Sequence, residues 1–341
     1  MNILSIDLED YFMVSAFEVV VKRDDWKGYE TRIEQNTYSL LKILESGFSQ
    51  MEFNSPTRIY GTFFCLGWVA ERYPHLIREI HSQGHEIASH GYDHRLITSM
   101  SPNEFRRDIR RTKIILEDLI GQRVIGYRAP SYSITRKTLW ALKILAEEGY
   151  SYDSSIFPIH HDSYGIPDAP RFPFYIDFNG DDILSQFKNP KYFPVIGGYL
   201  QNHGKVLDTS KQKSVQPGVL SSVPDDYFFE FPISTFRIFG YNLPVGGGGY
   251  FRFFPMRFTL WAMRRELRKG DGPLIFYIHP WEIDPIQPQI YGISLKSRFR
   301  HYVNIKKTEG RLKKLLRLIP FSSFRKILEI SFLDLNLDRE K

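Results

Sequence analysis

The sequence predicts an α/β protein organised as a (β/α) barrel of six or seven units. Short apolar runs rich in β-branched and aromatic residues alternate with longer helical patterns, which is typical of a parallel sheet covered by helices on both faces. No GxGxxG sequence follows the first run, so a dinucleotide-binding fold is disfavoured. Polar residues recur where the predicted strands end, and barrels build their active sites at that edge.

Seven segments have the composition of buried strands, and they are residues 2–6, 58–66, 85–89, 123–127, 150–152, 228–233 and 273–278. Helical patterns lie between them, at residues 32–47, 67–84, 101–121 and 135–149. The third helix has the clearest ends. Ser101 and Glu104 form a capping box, Pro102 occupies the first helical position, and Gly121 can take the left-handed conformation that ends a helix.

Two segments interrupt this rhythm. Residues 177–226 are polar and rich in Gly, Pro, Asn and Lys, which predicts a long insertion. Residues 244–250, PVGGGGY, contain four glycines but lack the Lys and Ser/Thr of a phosphate-binding loop. A turn or a close approach of two backbones is therefore predicted there.

The chain has 341 residues, a net charge of +6 and one cysteine, Cys65, which excludes an internal disulfide. Its first residues lack the basic and apolar regions of an export signal, so a cytoplasmic location is expected. No run approaches the ~18 apolar residues that a membrane span needs. No nucleic-acid-binding motif is present, and nucleic acid is not an expected partner.

The basic excess is concentrated between Lys306 and Arg317, where leucines alternate with cations at helical spacing. This pattern predicts an amphipathic helix. The first interpretation is a helix packed on the main domain with a solvated cationic face. The alternative is a helix that contacts an acidic membrane surface.

Two histidines, His90 and His94, lie four residues apart just after a predicted strand. Two imidazoles and one carboxylate make a three-ligand site that leaves positions open for water and substrate, as in catalytic zinc sites. We expect Asp10 to be the third ligand, with Glu9 as the alternative. The same set suits Fe(II) or another divalent ion.

Other ionisable residues follow other predicted strands and are candidates for acid–base chemistry. Asp7 or Glu9 is expected to be the general base, and His279 to protonate a departing amine. Asp153 is expected to pair with His279, raising its pKa and fixing its orientation. Arg128 is expected to pair with the base, and backbone N–H groups around Ser131 to form an oxyanion hole.

Five segments taken in order resemble the motifs of the polysaccharide deacetylases of carbohydrate esterase family four, the NodB-homology domain: IDLEDYF, HGYDH, RAPSY, YDSS and YIHPWEID. The resemblance implies a distorted (β/α)7 barrel and metal-dependent removal of acetyl groups from sugars. Gly91 stands where the second motif usually has Ser or Thr, and Tyr132 is a displaced aromatic of the third. The first motif usually has adjacent aspartates, whereas here the acidic residues are spread over Asp7, Glu9 and Asp10.

LPVGGGGYFR and SRFRHYVNIKKTEGRLKKLL resemble more closely the deacetylases encoded with exopolysaccharide loci of the PEP-CTERM/exosortase type. This resemblance implies that residues 1–290 form the barrel, with the insertion at 177–226, and that residues 291–341 form a C-terminal helical extension packed on it. It also implies a role in exopolysaccharide or other cell-surface glycan biosynthesis.

The expected activity is hydrolysis of N-acetyl groups from a saccharide, with one divalent metal ion, for which Zn²⁺ is the expected identity. Ser131, Tyr132, Tyr92 and Trp281 are the expected substrate-binding residues, with core packing as an equal alternative for the last two. Peripheral contact with the inner membrane face is a further expectation, and the oligomeric state is not predicted. Two alternatives remain open: an allantoinase-like hydrolase of a cyclic amide on the same scaffold, and a sugar-binding barrel without activity.

Overall fold

The computed structural model describes residues 1–47, 58–192 and 228–339. Its strands are β1 (Asn2–Leu8), β2 (Thr62–Cys65), β3 (Glu86–Ser89), β4 (Gly126–Tyr127), β5 (Tyr152–Asp153), β6 (Phe174–Ile176), β7 (Lys191–Tyr192), β8 (Phe228–Glu230), β9 (Thr235–Ile238), β10 (Tyr241–Pro244), β11 (Ile275–Ile278) and β12 (Phe321–Ser322). A ten-stranded sheet has the order β11-β1-β2-β3-β4-β5-β8-β6-β7, with β12 also paired to β1. β9 and β10 form a separate antiparallel pair.

Helices cover this sheet. They are α1 (Ile33–Glu45), α2 (Gly67–Arg72), α3 (Pro74–Ser82), α4 (Pro102–Ile120), α5 (Trp140–Glu147), α6 (Ile183–Lys188), α7 (Gly248–Phe253), α8 (Met256–Lys269), α9 (Leu295–Tyr302), α10 (Ile305–Leu318) and α11 (Phe324–Arg339). The predicted α/β class is confirmed, since strands alternate with helices along most of the chain.

The sheet is parallel from β11 through β1, β2, β3, β4 and β5 to β8. Beyond β8 the next strand is β6, which runs antiparallel to it. Within the described residues no ladder joins β8 to β11. An isolated hydrogen bond connects β11 to the segment after β8 instead: the Ile275 N–H donates to Ser234 Oγ at 2.7 Å. Closure by a continuous ladder is therefore not seen.

The helix ends follow the local chemistry of the sequence. Ser101 Oγ accepts from the Glu104 N–H at 3.3 Å, and Glu104 Oε2 accepts from the Ser101 N–H at 2.8 Å, which confirms the capping box. Gly121 ends the helix with φ at +65°. The predicted helix at 67–84 is divided into α2 and α3, because Pro74 lacks an N–H and restricts Tyr73, which takes non-helical angles of −126° and 55°.

The glycine run after β10 lies directly against β11. Tyr277 N–H donates to the Gly246 carbonyl at 2.7 Å. A Cβ on Gly247, whose φ is +123°, would lie 1.9 Å from the Tyr277 carbonyl oxygen. The predicted close approach of two backbones is confirmed.

The C-terminal region packs on the rest of the molecule. Leu312, Leu315 and Leu316 of α10 are at most 2% exposed, whereas Lys313 and Lys314 face solvent, as the packed interpretation predicts. The region also supplies β12, a strand that the sequence did not predict. Phe321 of β12 is the register partner of Asn2 on β1.

Most of the predicted insertion at 177–226 lies outside the described residues, which resume at 228. Its first part contains α6, where Asp182 Oδ1 accepts from the Leu184 N–H at 3.0 Å, and β7, which pairs antiparallel with β6. None of the helices in the described ranges has the length and apolar character needed to cross a lipid bilayer.

Candidate active site

The carboxyl ends of adjacent parallel strands bring the ionisable residues together. Glu9 follows β1, His90 follows β3, Arg128 follows β4 and His279 follows β11, while Asp7 is near the end of β1 itself. Because these strands run in one direction, their following loops open at the same edge of the sheet. The structure therefore brings these predicted residues together at the predicted edge of the sheet.

Glu9, His90 and His94 form a buried cluster. A carboxylate oxygen and one nitrogen from each imidazole all lie within 4.8 Å of one another. Oε2 of Glu9 is 2.9 Å from Nε2 of His94, and the two imidazole centroids are 5.4 Å apart. Each residue is at most 3% exposed, so the cluster is shielded from bulk water.

A hydrogen bond fixes the tautomer of His90 that can bind a metal ion through Nε2. Nδ1 of His90 lies 2.8 Å from the Arg128 carbonyl oxygen, and because a carbonyl can only accept, Nδ1 carries the proton and Nε2 keeps a lone pair. Burial, followed by the charge of His94, lowers the pKa of His90 to about 3, so the ring is neutral. One carboxylate and two imidazoles fit a divalent ion and leave positions open for other ligands.

Asp10 is not part of this cluster, so the expected assignment of Asp10 as third ligand is wrong. Its Oδ1 accepts from the Tyr11 N–H at 2.9 Å, and its Oδ2 accepts from the N–H groups of Arg32 at 2.8 Å and Ile33 at 3.1 Å. The first N–H groups of α1 have no partner within the helix and attract this carboxylate. Asp10 thus ties the loop after β1 to the start of α1, and Glu9 takes the place beside the histidines.

Asp7 is held by a buried arginine. Its Oδ1 lies 2.6 Å from Nη1 of Arg128, which is fully buried. The guanidinium also donates to Ser5 Oγ at 2.8 Å and, through Nε, to the Ser154 carbonyl at 3.0 Å. Arg128 is thus placed against one of the two expected candidates for the base, and its several bonds fix the position of the Asp7 carboxylate.

His279 lies close to both acids, Asp7 and Glu9. Its Nε2 lies 3.2 Å from Oε1 of Glu9 and 3.8 Å from Oδ2 of Asp7. Its Nδ1 lies 2.7 Å from Oε1 of Glu282, and Oε2 of Glu282 accepts from Nε of Arg252 at 2.6 Å. Burial would lower the pKa of His279, but Glu9 and Glu282 raise it to about 9.

Sequence reasoning missed Glu282 and Arg252. The available signal was the glutamate three positions after His279 in HPWE, a spacing at which a carboxylate reaches back across one short turn. Glu282 is fully buried and Arg252 is 2% exposed. This buried ion pair therefore holds the His279 imidazole from the side that faces the protein interior.

Asp153 does not pair with His279, so that expectation is wrong. Its carboxylate accepts from Ser155 Oγ at 2.6 Å and from the Ser155 N–H at 3.0 Å. Its register partner is Glu230 on β8, whose Oε1 accepts from the Ile156 N–H at 3.0 Å. Burial raises the pKa of both acids, and Asp153 raises that of Glu230 further. Two acids side by side in the interior are stable only when one keeps its proton.

The turn at Ser131 and Tyr132 lines the cleft, but two of its N–H groups already donate hydrogen bonds within the turn. Both residues have positive φ, at +50° and +55°. The Tyr132 N–H donates to the Ala129 carbonyl at 3.0 Å, and the Ser133 N–H donates to the Pro130 carbonyl at 3.1 Å. Neither of these two N–H groups is therefore free to bind an oxyanion. Ser131 Oγ instead donates to Ser15 Oγ at 2.9 Å.

Of the expected substrate-binding residues Tyr92 and Trp281, only Trp281 lines the cleft. Tyr92 lies outside it: its hydroxyl donates to Glu71 at 2.7 Å, and the Arg111 guanidinium lies 3.5 Å from its ring centroid. The structure therefore does not bring Tyr92 to the cleft with the other expected substrate-binding residues. Trp281 is 4% exposed and stacks with the rings of His279 and His301.

A cleft of about 600 Å³ opens above the cluster. Five of the residues described above form its floor: Asp7, Glu9, His90, His94 and His279. One wall comes from the turn at residues 131–133, and another comes from α7 and α9. The volume is typical of a small-molecule site, roughly 300–1,000 Å³.

Two family models match separate parts of this chain. Residues 56–152 match the polysaccharide deacetylase family, and residues 209–329 match a domain of unknown function, DUF3473. The first segment contains His90, His94 and Arg128, and the second contains Arg252, His279 and Glu282. The candidate site therefore draws residues from both matched segments.

Curated relatives match a short part of the chain. A peptidoglycan-N-acetylglucosamine deacetylase of Bacillus cereus is 34% identical over 84 residues, which is 24% of this chain and 30% of the relative. A peptidoglycan deacetylase-like protein, FGM2, of Gibberella zeae is 34% identical over 95 residues, which is 28% of this chain and 27% of the relative. The chain thus spans less than a third of the length of either relative.

A solved structure resembles nearly the whole chain. It is the crystal structure of a protein from Mycobacterium smegmatis provisionally described as a polysaccharide deacetylase, with a TM-score of 0.50 and 18% sequence identity. The match covers 98% of this chain and 91% of that one. At this identity the match establishes a shared fold.

Proposed function

We propose that this protein, whose residues 56–152 match the polysaccharide deacetylases, is a metal-dependent hydrolase that removes N-acetyl groups from a saccharide. The observation that carries the proposal is the convergence of Glu9, His90 and His94 with Asp7 and His279 on the floor of one cleft. Ligands, base and acid then lie within reach of one bound acetamido group.

Glu9, His90 and His94 would hold the metal ion, for which we propose Zn²⁺. When bound, such an ion supplies a water of lowered pKa and polarises the acetyl carbonyl. The fit rests on the donor set: one buried carboxylate, and two imidazoles of which His90 has its Nδ1 proton fixed by a carbonyl.

Asp7 is the proposed general base. Glu9 is occupied by the contact with His94, which leaves Asp7 as the other acid at the floor. Arg128 holds the Asp7 carboxylate in one position, from which it can take a proton from the attacking water. This assigns different roles to two acids that the sequence alone left interchangeable.

His279 is the proposed general acid. Its Nδ1 is held by Glu282, so Nε2 points toward Asp7 and Glu9, where the scissile bond would lie. From there it can donate a proton to the departing nitrogen as the C–N bond breaks. The products are acetate and a free amino group on the sugar.

The biological setting that we propose is exopolysaccharide or cell-surface glycan biosynthesis of the PEP-CTERM/exosortase type, on a precursor at the cytoplasmic face of the inner membrane. Support comes from the resemblance of the C-terminal sequences and from the solvent-facing Lys306, Lys307, Lys313 and Lys314 of α10. Sedimentation with vesicles that contain acidic lipids, but not with neutral vesicles, is the expected result.

The activity is tested by acetate release from N-acetylhexosamine oligosaccharides, with allantoin as a competing cyclic-amide substrate. The purified protein should release acetate from the oligosaccharides, lose this activity on chelation and regain it with Zn²⁺. His90→Ala should abolish the activity. Turnover of allantoin alone would establish the cyclic-amide hydrolase, and full activity in metal-free protein would overturn the proposal.

A further inference from the structure

The cleft has a second side that the acetyl chemistry does not use. One wall of the cleft is formed by residues of α7 and α9, which lie in the segment that matches the domain of unknown function. Phe253 and Phe299 on this wall are 54% and 56% exposed, with ring centroids 6.2 Å apart. Exposed aromatic faces beside a cleft suit the apolar faces of sugar rings.

Three arginine and lysine residues line the cleft, and two of them already have acidic partners. Arg252 is paired with Glu282, and Lys296 is paired with Asp162 at 2.6 Å. The third, Arg300 on α9, is exposed, and within the described ranges it makes no ion pair. Among the described residues Arg300 therefore has no ion-pair partner of its own, although its charge also helps to lower the pKa of Asp162, the partner of Lys296.

The charge of Arg300 acts inside the cleft. Burial and, after it, the charge of Arg300 lower the pKa of His161, which also lines the cleft. Tyr164, another lining residue, is stabilised as its anion by the same guanidinium, although burial raises its pKa overall. Arg300 is therefore electrostatically part of the cleft.

We propose that Arg300 binds an anionic group, a carboxylate or a phosphate, carried by the same saccharide whose acetamido group lies at the floor. The proposal rests on the proposed function and names the class of its substrate: an acidic N-acetylated saccharide. A guanidinium binds either anion through two parallel hydrogen bonds, and the exposed aromatic rings nearby would hold the connecting sugar. The volume of about 600 Å³ leaves room beyond one sugar ring.

The experiment compares three substrates: a neutral N-acetylglucosamine disaccharide, a disaccharide of N-acetylglucosamine with a hexuronic acid, and a nucleoside-diphosphate N-acetylglucosamine. The variant is Arg300→Gln. The matched control is Arg298→Gln, on the same helix but outside the cleft, where Arg298 donates to Gln289 at 2.9 Å. Preference for the uronate would identify the carboxylate as the source, and preference for the diphosphate would identify the phosphate.

We expect the wild-type kcat/KM to favour an acidic substrate over the neutral one, and Arg300→Gln to reduce that ratio about 10-fold, mainly through KM. Added salt should reduce the ratio as well. Arg298→Gln should leave the ratio unchanged. Equal kcat/KM for neutral and acidic substrates, or the same loss in both variants, would overturn the assignment of Arg300.

Calorimetric binding of the deacetylated acidic disaccharide separates this proposal from the proposed function. If the metal-loaded protein releases no acetate from any substrate, the deacetylase proposal fails. Binding that is about 10-fold weaker in Arg300→Gln than in Arg298→Gln would still support the anion site. Equal binding by the two variants would refute it.

Discussion

The neighbouring acids Glu9 and Asp10 have different partners because different groups compete for each carboxylate. Asp10 satisfies N–H groups at the start of α1, whereas Glu9 meets two histidines. We expect Glu9→Gln to weaken metal binding by more than about 100-fold, since losing a group that merely orients a ligand already costs about 10–100-fold. Metal analysis after dialysis measures this.

Asp10→Asn is the matched control for that prediction. It should keep the metal and lose about 1 kcal/mol of unfolding free energy, the usual cost of weakening a carboxylate at a helix start. Denaturant unfolding measures the loss. Metal loss in Asp10→Asn with retention in Glu9→Gln would reverse the assignment of the third ligand.

His279 is hydrogen-bonded to a fully buried acid, Glu282. Glu282 receives a hydrogen bond from Nδ1 of His279 and an ion pair from Arg252. We expect Glu282→Gln to lower kcat at least about 100-fold with metal content unchanged, because the imidazole loses the partner that fixes its orientation and charge. Steady-state acetate release measures kcat.

A buried glutamate outside the cleft, also bound by an arginine, gives the control. Glu266, 3% exposed, is bound by Arg171 at 2.7 Å. Glu266→Gln should reduce stability through loss of a buried partner but leave kcat of the folded protein unchanged. Equal kcat losses in the two variants would show that Glu282 matters only for folding.

At the scale of single elements, the glycine run controls how closely the segment before α7 approaches β11. A methyl group on Gly247 would clash with the Tyr277 carbonyl and would be strained at its φ of +123°, whereas one on Gly249 would meet nothing closer than 3.8 Å. We expect Gly247→Ala to cost several kcal/mol and Gly249→Ala to change stability by less than about 1 kcal/mol. Thermal unfolding of both variants compares them, and similar melting temperatures would contradict the packing of this segment.

A hydrogen bond between the residues that precede β2 and β3 should make the unfolding free energy depend on pH, because it involves His85. Its Nδ1 accepts from the Gly61 N–H at 3.1 Å, so it must be unprotonated, and burial lowers its pKa from 6.5 to about 4. Below pH 6.5 the unfolded chain binds a proton that the folded chain does not. The stabilisation is therefore full above pH 6.5 and is lost as pH falls toward 4, by up to about 3 kcal/mol.

His85→Gln isolates this contribution, since an amide oxygen can accept from Gly61 without titrating in this range. Unfolding free energy measured by denaturant between pH 7 and 4 should fall less steeply in the variant than in wild type. Identical slopes would mean that the imidazole has the same pKa in the folded and unfolded states.

At the scale of the whole molecule, the features predicted correctly from the sequence are those that a short stretch of residues identifies by itself. Continuous apolar runs marked the parallel strands, and the Ser101 capping box marked a helix start. His90 and His94 were recognised by their spacing together with their position just after a predicted strand. These signals are local because a buried strand or a capped helix needs only its own residues to identify it.

What the sequence did not predict depends on three-dimensional competition. Asp10 was misassigned because the N–H groups of α1, more than twenty residues away in sequence, bind its carboxylate. Asp153 was misassigned because its neighbour across the sheet is Glu230. The acid hydrogen-bonded to His279 is Glu282 and not Asp153. Sequence spacing alone does not show which of two acids near the ends of different strands will contact the histidine.

We expect the C-terminal region and the site to unfold as one cooperative unit, because α10 packs against the turn at Pro280–Ile283 that carries Glu282. Leu315 of α10 is fully buried in the main core, whereas Leu318 on the same helix is 40% exposed. We expect Leu315→Ala to lower the unfolding free energy by about 2–5 kcal/mol and Leu318→Ala by less than about 0.5 kcal/mol. In both variants, circular dichroism, tryptophan fluorescence and metal release should report one coincident transition. Separate transitions for metal release and helix loss would mean that the extension folds independently of the site, and equal effects of the two substitutions would mean that α10 is not seated on the core.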